Sequence, residues 1–359
     1  MNYISPTHQA AGHEGYFTPE DGSLFIKATD QQEIDFYTQV QAHDDEQDDE
    51  QDDSYLGSKL SDWMPLYMGT LTSGDITKSN TSATTNNNNN NNNNNKKYIV
   101  LQNLYQGFKR PSILDIKLGA LLTDPDSTSP DKIARLKEVS QSSTSGSLHF
   151  RICGMDVYNG NNTKLPTDIF PNMNKDALEI KKDNEYIFFN KLYGRSLTTD
   201  TINEGILLYF KHNFAEQQLG SRIIRRLLST FLKRLQLLYN CILDYEIRIY
   251  SGSLLFIYES DLSMYGEGIL DDDEKYDELD PLVQEPIIEV DDDDDEDEDE
   301  YEDGEDTQQS SQQFTPLSSL HFIDFAHAKF VKGKGHDDNI IIGIENLINI
   351  FEQLVQDYK

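Results

Sequence analysis

Arg110-Pro111-Ser112-Ile113-Leu114-Asp115-Ile116-Lys117-Leu118-Gly119 is the stretch on which the reading of this chain turns. Its alternation predicts a strand, with Leu114, Ile116 and Leu118 on one side and Asp115 and Lys117 on the other. An acid and a base two residues apart on an otherwise apolar strand are costly to bury unless they serve a purpose. The alternative reading is a surface ion pair on an edge strand.

Outward from that strand, strand and helix patterns alternate. Tyr16–Thr18 and Ser23–Lys27 flank Pro19-Glu20-Asp21-Gly22, which predicts a β-hairpin with a tight turn. Gln31–Gln41 places Ile34, Tyr37 and Val40 on one helical face. Trp63–Leu71, Tyr98–Leu104, Ser147–Tyr158, Glu185–Leu192, Arg248–Glu259 and Leu320–Phe325 carry strand patterns. Gln217–Leu243 is amphipathic, with Ile223, Leu227, Leu228, Phe231, Leu235 and Leu238 along one side, and Asn339–Tyr358 predicts a closing helix. A strand-rich front before a larger mixed body predicts an α+β fold of two lobes around a cleft. The smaller, antiparallel-sheet lobe is placed at 1–105 and the larger mixed α/β lobe at 106–359.

The net charge of −34 is concentrated. Leu270 to Asp306 holds 23 acids and one Lys, and Asp44 to Asp53 holds eight acids and no base; without both stretches the remainder carries −4. A Ser/Thr/Asn tract contains ten consecutive Asn, from Asn86 to Asn95. Segments 44–53, 77–97 and 268–318 lack the apolar residues that offset ordering entropy, and are predicted to be disordered loops. Cys153 and Cys241 are the sole cysteines, without metal-ligand spacing, which predicts a reducing intracellular setting and no disulfide or zinc site. The first residues have no basic start and apolar core of a secretion signal, and no apolar run is long enough to span a bilayer, so a soluble protein is expected. No basic, aromatic-spaced patch points to direct nucleic-acid binding.

Pro111, Asp115, Lys117 and Gly119 match the P-x-x-x-D-x-K-x-G signature, and the chain resembles the inositol polyphosphate kinase family. Other segments carry the resemblance in the family's order. Ala10–Gly15 is similar to its glycine-containing opening, Leu24-Phe25-Ile26-Lys27 to its nucleotide-binding lysine strand and Val100-Leu101-Gln102-Asn103 to its hinge. Ser253-Leu254-Leu255 resembles its serine-leucine-leucine strand, and Ile323-Asp324-Phe325-Ala326-His327 its metal-binding motif. Thr144–Met155 and Asn190–Ser196 resemble the family's fungal multikinase branch, and no long insertion lies between Gly119 and Ser147.

The resemblance implies a kinase-like fold using ATP and Mg²⁺ to phosphorylate inositol polyphosphates, in the multikinase manner of successive additions to inositol 1,4,5-trisphosphate. An inositol hexakisphosphate kinase is the runner-up. A regulatory scaffold for transcription of arginine metabolism is the non-catalytic alternative. Phosphoryl transfer asks a protein mainly to position reactants and neutralise charge. The implied ATP contacts are Phe25, Lys27, Leu101, Gln102, Asp115, Ser253, Ile323 and Asp324, with Asp324 also on the metal, a carboxylate suited to Mg²⁺. Lys27 would grip phosphates, steadied by Glu33; a snorkelling lysine and a solvent-facing acid are the plain alternatives. Asp115 and Lys117 are the implied catalytic pair: Asp115 either takes the proton of the attacking hydroxyl or holds the ribose, and Lys117 meets the transferring and a substrate phosphate. His327 is an implied substrate contact or a structural histidine. Lys132 and Arg135, one turn apart after the helix start Ser129-Pro130-Asp131, are candidates for further phosphates, against a solvated helix face. Gln102 stands where the family often has Glu, and Gly252 where a second serine is usual. A protein kinase is disfavoured, since there is no His-Arg-Asp loop and no G-x-G-x-x-G before Lys27. The wider expectations are a monomer in nucleus and cytoplasm, with phosphoinositide lipids as further substrates and transcription factors bound through the acidic and Asn-rich segments.

Overall fold

The computed structural model describes residues 3–6, 15–49, 58–79, 96–160, 175–180, 185–214, 220–265 and 317–358. Most of the Asn tract and nearly all of the acidic segment 268–318 lie outside the described residues. The smaller lobe contains β1 (Tyr3–Ile4), β2 (Thr18–Pro19), β3 (Leu24–Thr29), α1 (Gln31–Asp49), α2 (Leu60–Trp63), β4 (Tyr67–Thr72), α3 (Ser73–Ser79) and β5 (Lys97–Gln102). Its sheet has the order β3-β5-β4, all antiparallel. The expected hairpin forms: Phe17 and Ile26 exchange backbone hydrogen bonds, and the Gly22 N–H closes the turn onto the Pro19 carbonyl.

The larger lobe begins with β6 (Pro111–Leu118), α4 (Pro130–Gln141), α5 (Thr144–Leu148), β7 (Phe150–Tyr158), β8 (Leu178–Ile180) and β9 (Tyr186–Phe189). It continues with α6 (Lys191–Ser196), α7 (Ile202–Phe214), α8 (Gly220–Leu243), β10 (Ile247–Ile249), β11 (Ser253–Glu259), β12 (Ser318–Ile323), β13 (Ala328–Phe330) and α9 (Asp338–Asp357). Six strands form one sheet in the order β12-β11-β6-β7-β9-β8, so β6 is interior. The alternation read from its sequence decides which face goes where. Leu114, Ile116 and Leu118 join the main core under α8 and α9, where Phe231, Phe256 and Phe351 contact one another. Ile113 turns the other way with Leu255 and Ile257, against Leu104, Tyr105 and Phe108 of the inter-lobe connection. Asp115 and Lys117 share that second face. Gly119 ends β6 at φ +92°, with a β-carbon position 2.3 Å from the Asn339 side chain, so glycine is needed for both conformation and space.

Several boundaries differ from expectation. The loop expected from Asp44 begins inside α1, which continues to Asp49. Asp44 is buried, accepting from the Tyr245 hydroxyl at 2.7 Å and the Ser61 N–H at 3.0 Å, and this tertiary contact overrides the acidic composition. The loop expected from residue 77 likewise starts within α3. Trp63, read as starting a strand, instead ends a helical turn that the Asp62 carboxylate caps at the Lys59 N–H. Ser147 and Leu148 close α5, and β7 starts after His149 at φ 55°. The strand read over 248–259 breaks at Tyr250-Ser251-Gly252, where Ser251 has φ 60°. Helix α7, Ile202–Phe214, has no counterpart among the elements expected from the sequence.

Tyr245 ties α1 to the larger lobe, donating to Asp44 and accepting from the Leu60 N–H at 2.9 Å. Tyr245→Phe keeps the ring and removes both bonds, and is expected to lower stability by about 1–3 kcal/mol. An unchanged denaturant midpoint would show that the pair contributes nothing net.

Candidate active site

Lys27 lies mid-strand on β3, 9% exposed, between Ile26 and Ala28. Its Nζ meets Glu33 Oε1 at 2.7 Å and Asp324 Oδ1 at 3.2 Å. Burial opposes its charge, but Asp324 and Glu33 outweigh that cost and hold the ammonium above its ordinary range. Glu33 reaches this position because the Asp30 carboxylate caps the first turn of α1 at the Glu33 N–H. It is 1% exposed and also accepts from the Thr29 hydroxyl at 2.6 Å and the Phe325 N–H at 3.2 Å. The solvent-facing alternatives for Lys27 and Glu33 are excluded.

Asp324 follows β12 in the left-handed region, at φ 68°, a conformation that Asp tolerates better than most side chains. Phe325 next to it is buried against Phe36, Tyr37 and Phe322, at ring separations of 5.1, 5.4 and 5.1 Å. That anchor fixes the turn and leaves the Asp324 carboxylate partly exposed at the cleft.

Asp115 is buried and its Oδ1 has no hydrogen-bond partner. Burial raises its carboxyl to about 6; Asp324 adds to the rise, while Lys117, Ser253 and Arg151 oppose it. Because β6 is interior, the edge-strand ion-pair reading fails. Lys117 Nζ donates to the Ser251 carbonyl at 2.5 Å. Lys117 stands opposite Ser253 on β11 and Arg151 on β7, so two cations share one face of the sheet. Arg151 donates to the Ser145 hydroxyl at 2.7 Å. It was not singled out in the sequence, where an arginine inside an apolar strand was its sole signal. Ser253 is fully buried, its hydroxyl beside the Asp115 carboxylate. Gly252 is forced by packing rather than by chemistry: a β-carbon there would lie 2.6 Å from Ile249 and 2.8 Å from Phe322.

A cleft of about 670 Å³ gathers Phe25, Lys27, Leu101, Gln102, Asp115, Ile323 and Asp324. It adds Tyr16, Tyr37, Pro65, Asn103, Leu104, Tyr105 and Leu255, mostly side chains that sequence alone cannot tell from core. Ser253 does not line it, although it neighbours Asp115. At the connection, the Gln102 N–H already donates to the Leu66 carbonyl at 2.9 Å and the Asn103 N–H to the Ser23 carbonyl at 3.2 Å. His327 is half-buried, and burial with the nearby Lys132 charge pushes its pKa down. Lys132 is therefore brought to His327; both Lys132 and Arg135 are exposed on α4. Among the described residues no three His, Cys, Asp or Glu cluster could alone hold a metal. The partly exposed Asp324 carboxylate, with the orphaned Asp115 oxygen close by, fits a hard cation that takes one or two carboxylates and completes its shell with phosphate oxygens.

The family model for inositol polyphosphate kinase matches residues 98–352. The chain is 39% identical over 371 residues to an inositol polyphosphate multikinase from Saccharomyces cerevisiae, covering 98% of each. It is 30% identical over 269 residues to human inositol hexakisphosphate kinase 1, across 72% of this chain and 52% of that one. A crystal structure of an inositol phosphate multikinase from S. cerevisiae in complex with ADP and Mn²⁺ matches with a TM-score of 0.64 at 35% identity, covering 93% of this chain and all of that one.

The raised Asp115 pKa fixes the sign of a stability effect. The folded state binds this proton more tightly than the unfolded chain, whose value is near 3.8, so stability falls as pH rises between about 4 and 6. Above that window the cost is fully present. Asp115→Asn is expected to stabilise the ligand-free protein at pH 7.5 by about 1–3 kcal/mol, the gain shrinking towards pH 4. Denaturant titrations at the two pH values check this; equal midpoints at pH 7.5 would refute the unsatisfied charge.

Proposed function

The chain belongs to the inositol polyphosphate kinase family and is an ATP- and divalent-cation-dependent inositol phosphate kinase, and on that premise we propose that it is a multikinase carrying inositol 1,4,5-trisphosphate to the tetrakis- and then the pentakisphosphate. The observation that carries the site assignment is the convergence of Lys27, Asp324 and the buried Asp115 on one cleft. The multikinase likeness over 98% of both chains favours this reading over a hexakisphosphate kinase, whose match covers 72% of this chain.

The adenine is placed among the apolar cleft-lining side chains Phe25, Leu101, Leu104, Leu255 and Ile323. Because the Gln102 and Asn103 N–H groups are taken, adenine contacts fall to backbone carbonyls and to groups beyond Asn103. The Gln102 side chain is exposed, so the change from Glu alters no backbone contact. Lys27 exchanges Asp324 for the nucleotide phosphates while Glu33 keeps it in place. Asp324, with phosphate oxygens, would hold Mg²⁺, which would supply charge neutralisation for the transferred group. The two assignments the resemblance implies for Asp115, which lines the cleft, are the attacking hydroxyl and the ribose. A carboxylate near 6 is ionised at neutral pH yet basic enough to take a proton, which favours the hydroxyl. Lys117 contacts the transferring phosphate, with Arg151 beside it; Lys132, Arg135 and His327 receive the substrate's other phosphates. The absence of a long insertion between Gly119 and Ser147 favours a substrate side open to more than one ring orientation.

The finer expectations rest on sequence. The acidic stretch 270–306 and the Asn run supply surfaces for transcription factors, placing the protein in nucleus as well as cytoplasm, as a monomer. The open substrate side also suits phosphoinositide headgroups.

Inositol 1,4,5-trisphosphate incubated with ATP and Mg²⁺ is expected to yield tetrakis- and pentakisphosphate, with Asp324→Ala reducing turnover by at least about a hundredfold. The rate is expected to fall with decreasing pH below about 6 as Asp115 takes up its proton. Products that stop at one added phosphate would overturn the sequential reading, and conversion of the hexakisphosphate alone would move the protein to the other branch.

A further inference from the structure

Tyr37 has no part in the chemistry above. It stands one turn after Glu33 on α1 and is 2% exposed. Its ring lies edge-on to Phe325 and beside Tyr67, at 5.4 and 5.7 Å. The hydroxyl has no hydrogen-bond partner, yet the side chain forms part of the cleft wall, and its charged neighbours are Lys27, Glu33 and Asp324. A phenylalanine would fill the same space without stranding a polar atom, so the hydroxyl costs the ligand-free protein stability.

No protein acceptor lies within hydrogen-bond distance of it. The Glu33 oxygens already receive Lys27, the Thr29 hydroxyl and the Phe325 N–H. Burial pushes the phenol pKa far up, so the group stays protonated and can donate. The base would lie at the other end of the cleft, by Leu101 and Asn103, whereas Tyr37 belongs to the end marked by Lys27 and Asp324. Phosphate oxygens are acceptors alone, and they are what the nucleotide brings to that end.

We propose that Tyr37 is a nucleotide-binding residue whose hydroxyl donates a hydrogen bond to a phosphate oxygen of the nucleotide held between Lys27 and Asp324. The inference rests on the nucleotide-site reading above. In the ligand-free state the donor waits unpaired, and part of the binding energy comes from relieving it.

Tyr37→Phe is tested by calorimetric titration of the full chain with ADP plus Mg²⁺, and separately with adenosine, alongside ligand-free thermal unfolding. The expected result is an affinity for ADP with Mg²⁺ lower by about three- to tenfold, an unchanged affinity for adenosine and a ligand-free Tm equal to or above the parent's. Unchanged ADP affinity overturns the proposal. So does a parallel loss for adenosine and ADP, which would mark a packing role. Failure of the parent protein itself to bind ADP with Mg²⁺ would instead strike the nucleotide-site reading, and this inference with it.

Discussion

Glu33 holds the two lobes in working relation. Its carboxylate is fully desolvated, which is tolerable because three donors from two segments meet it: Lys27 and Thr29 of β3, and the Phe325 backbone after β12. Removing any one leaves a buried charge short of a partner. The same contacts set the position of Lys27 relative to Asp324, and therefore where phosphates and metal meet. Around this point the packing is aromatic: Phe36, Tyr37, Phe322 and Phe325 interlock and leave little freedom for the Asp324 turn.

Charge is managed differently on β6. Asp115 keeps an oxygen without a partner and a carboxyl raised to about 6, and Lys117 faces a second cation, Arg151, across the strands. Neither arrangement favours the ligand-free fold. Both become reasonable when anions of the substrate and nucleotide enter, since two adjacent cations need phosphates between them and an unpaired carboxylate needs a proton to accept. On the roles proposed for Asp115 and Lys117, stability is set aside at this strand in return for readiness to react.

The sequence displayed the skeleton of this arrangement because it is written in local pattern. Asp115 and Lys117 interrupt an apolar strand, Lys27 another, and Asp324 ends a third; the α8 face repeats at helical spacing and is buried as read. What was illegible depends on distant partners. Asp44 sits in a run of acids that reads as loop, and Tyr245, 201 residues away, with the Ser61 N–H, holds it in a helix. Gly252 reads as a missing serine until Ile249 and Phe322 are seen to fill the space. Pro65 and Leu255 are cleft walls by geometry alone. The break at Ser251 depends on a left-handed residue that carries no glycine signal.

The anchoring of α1 has a consequence for assembly of the site. The helix is fastened to the larger lobe at its start, where Gln32 donates to the Ala328 carbonyl, in its middle by Phe36 on Phe325 and Phe330, and near its far end by Asp44 on Tyr245. The Lys27–Glu33 pair is made before any ligand arrives. A helix so bound does not need to swing inward to form the Lys27–Glu33 pair. What this helix contributes to the site is thus a fixture of the ligand-free fold rather than something assembled on binding.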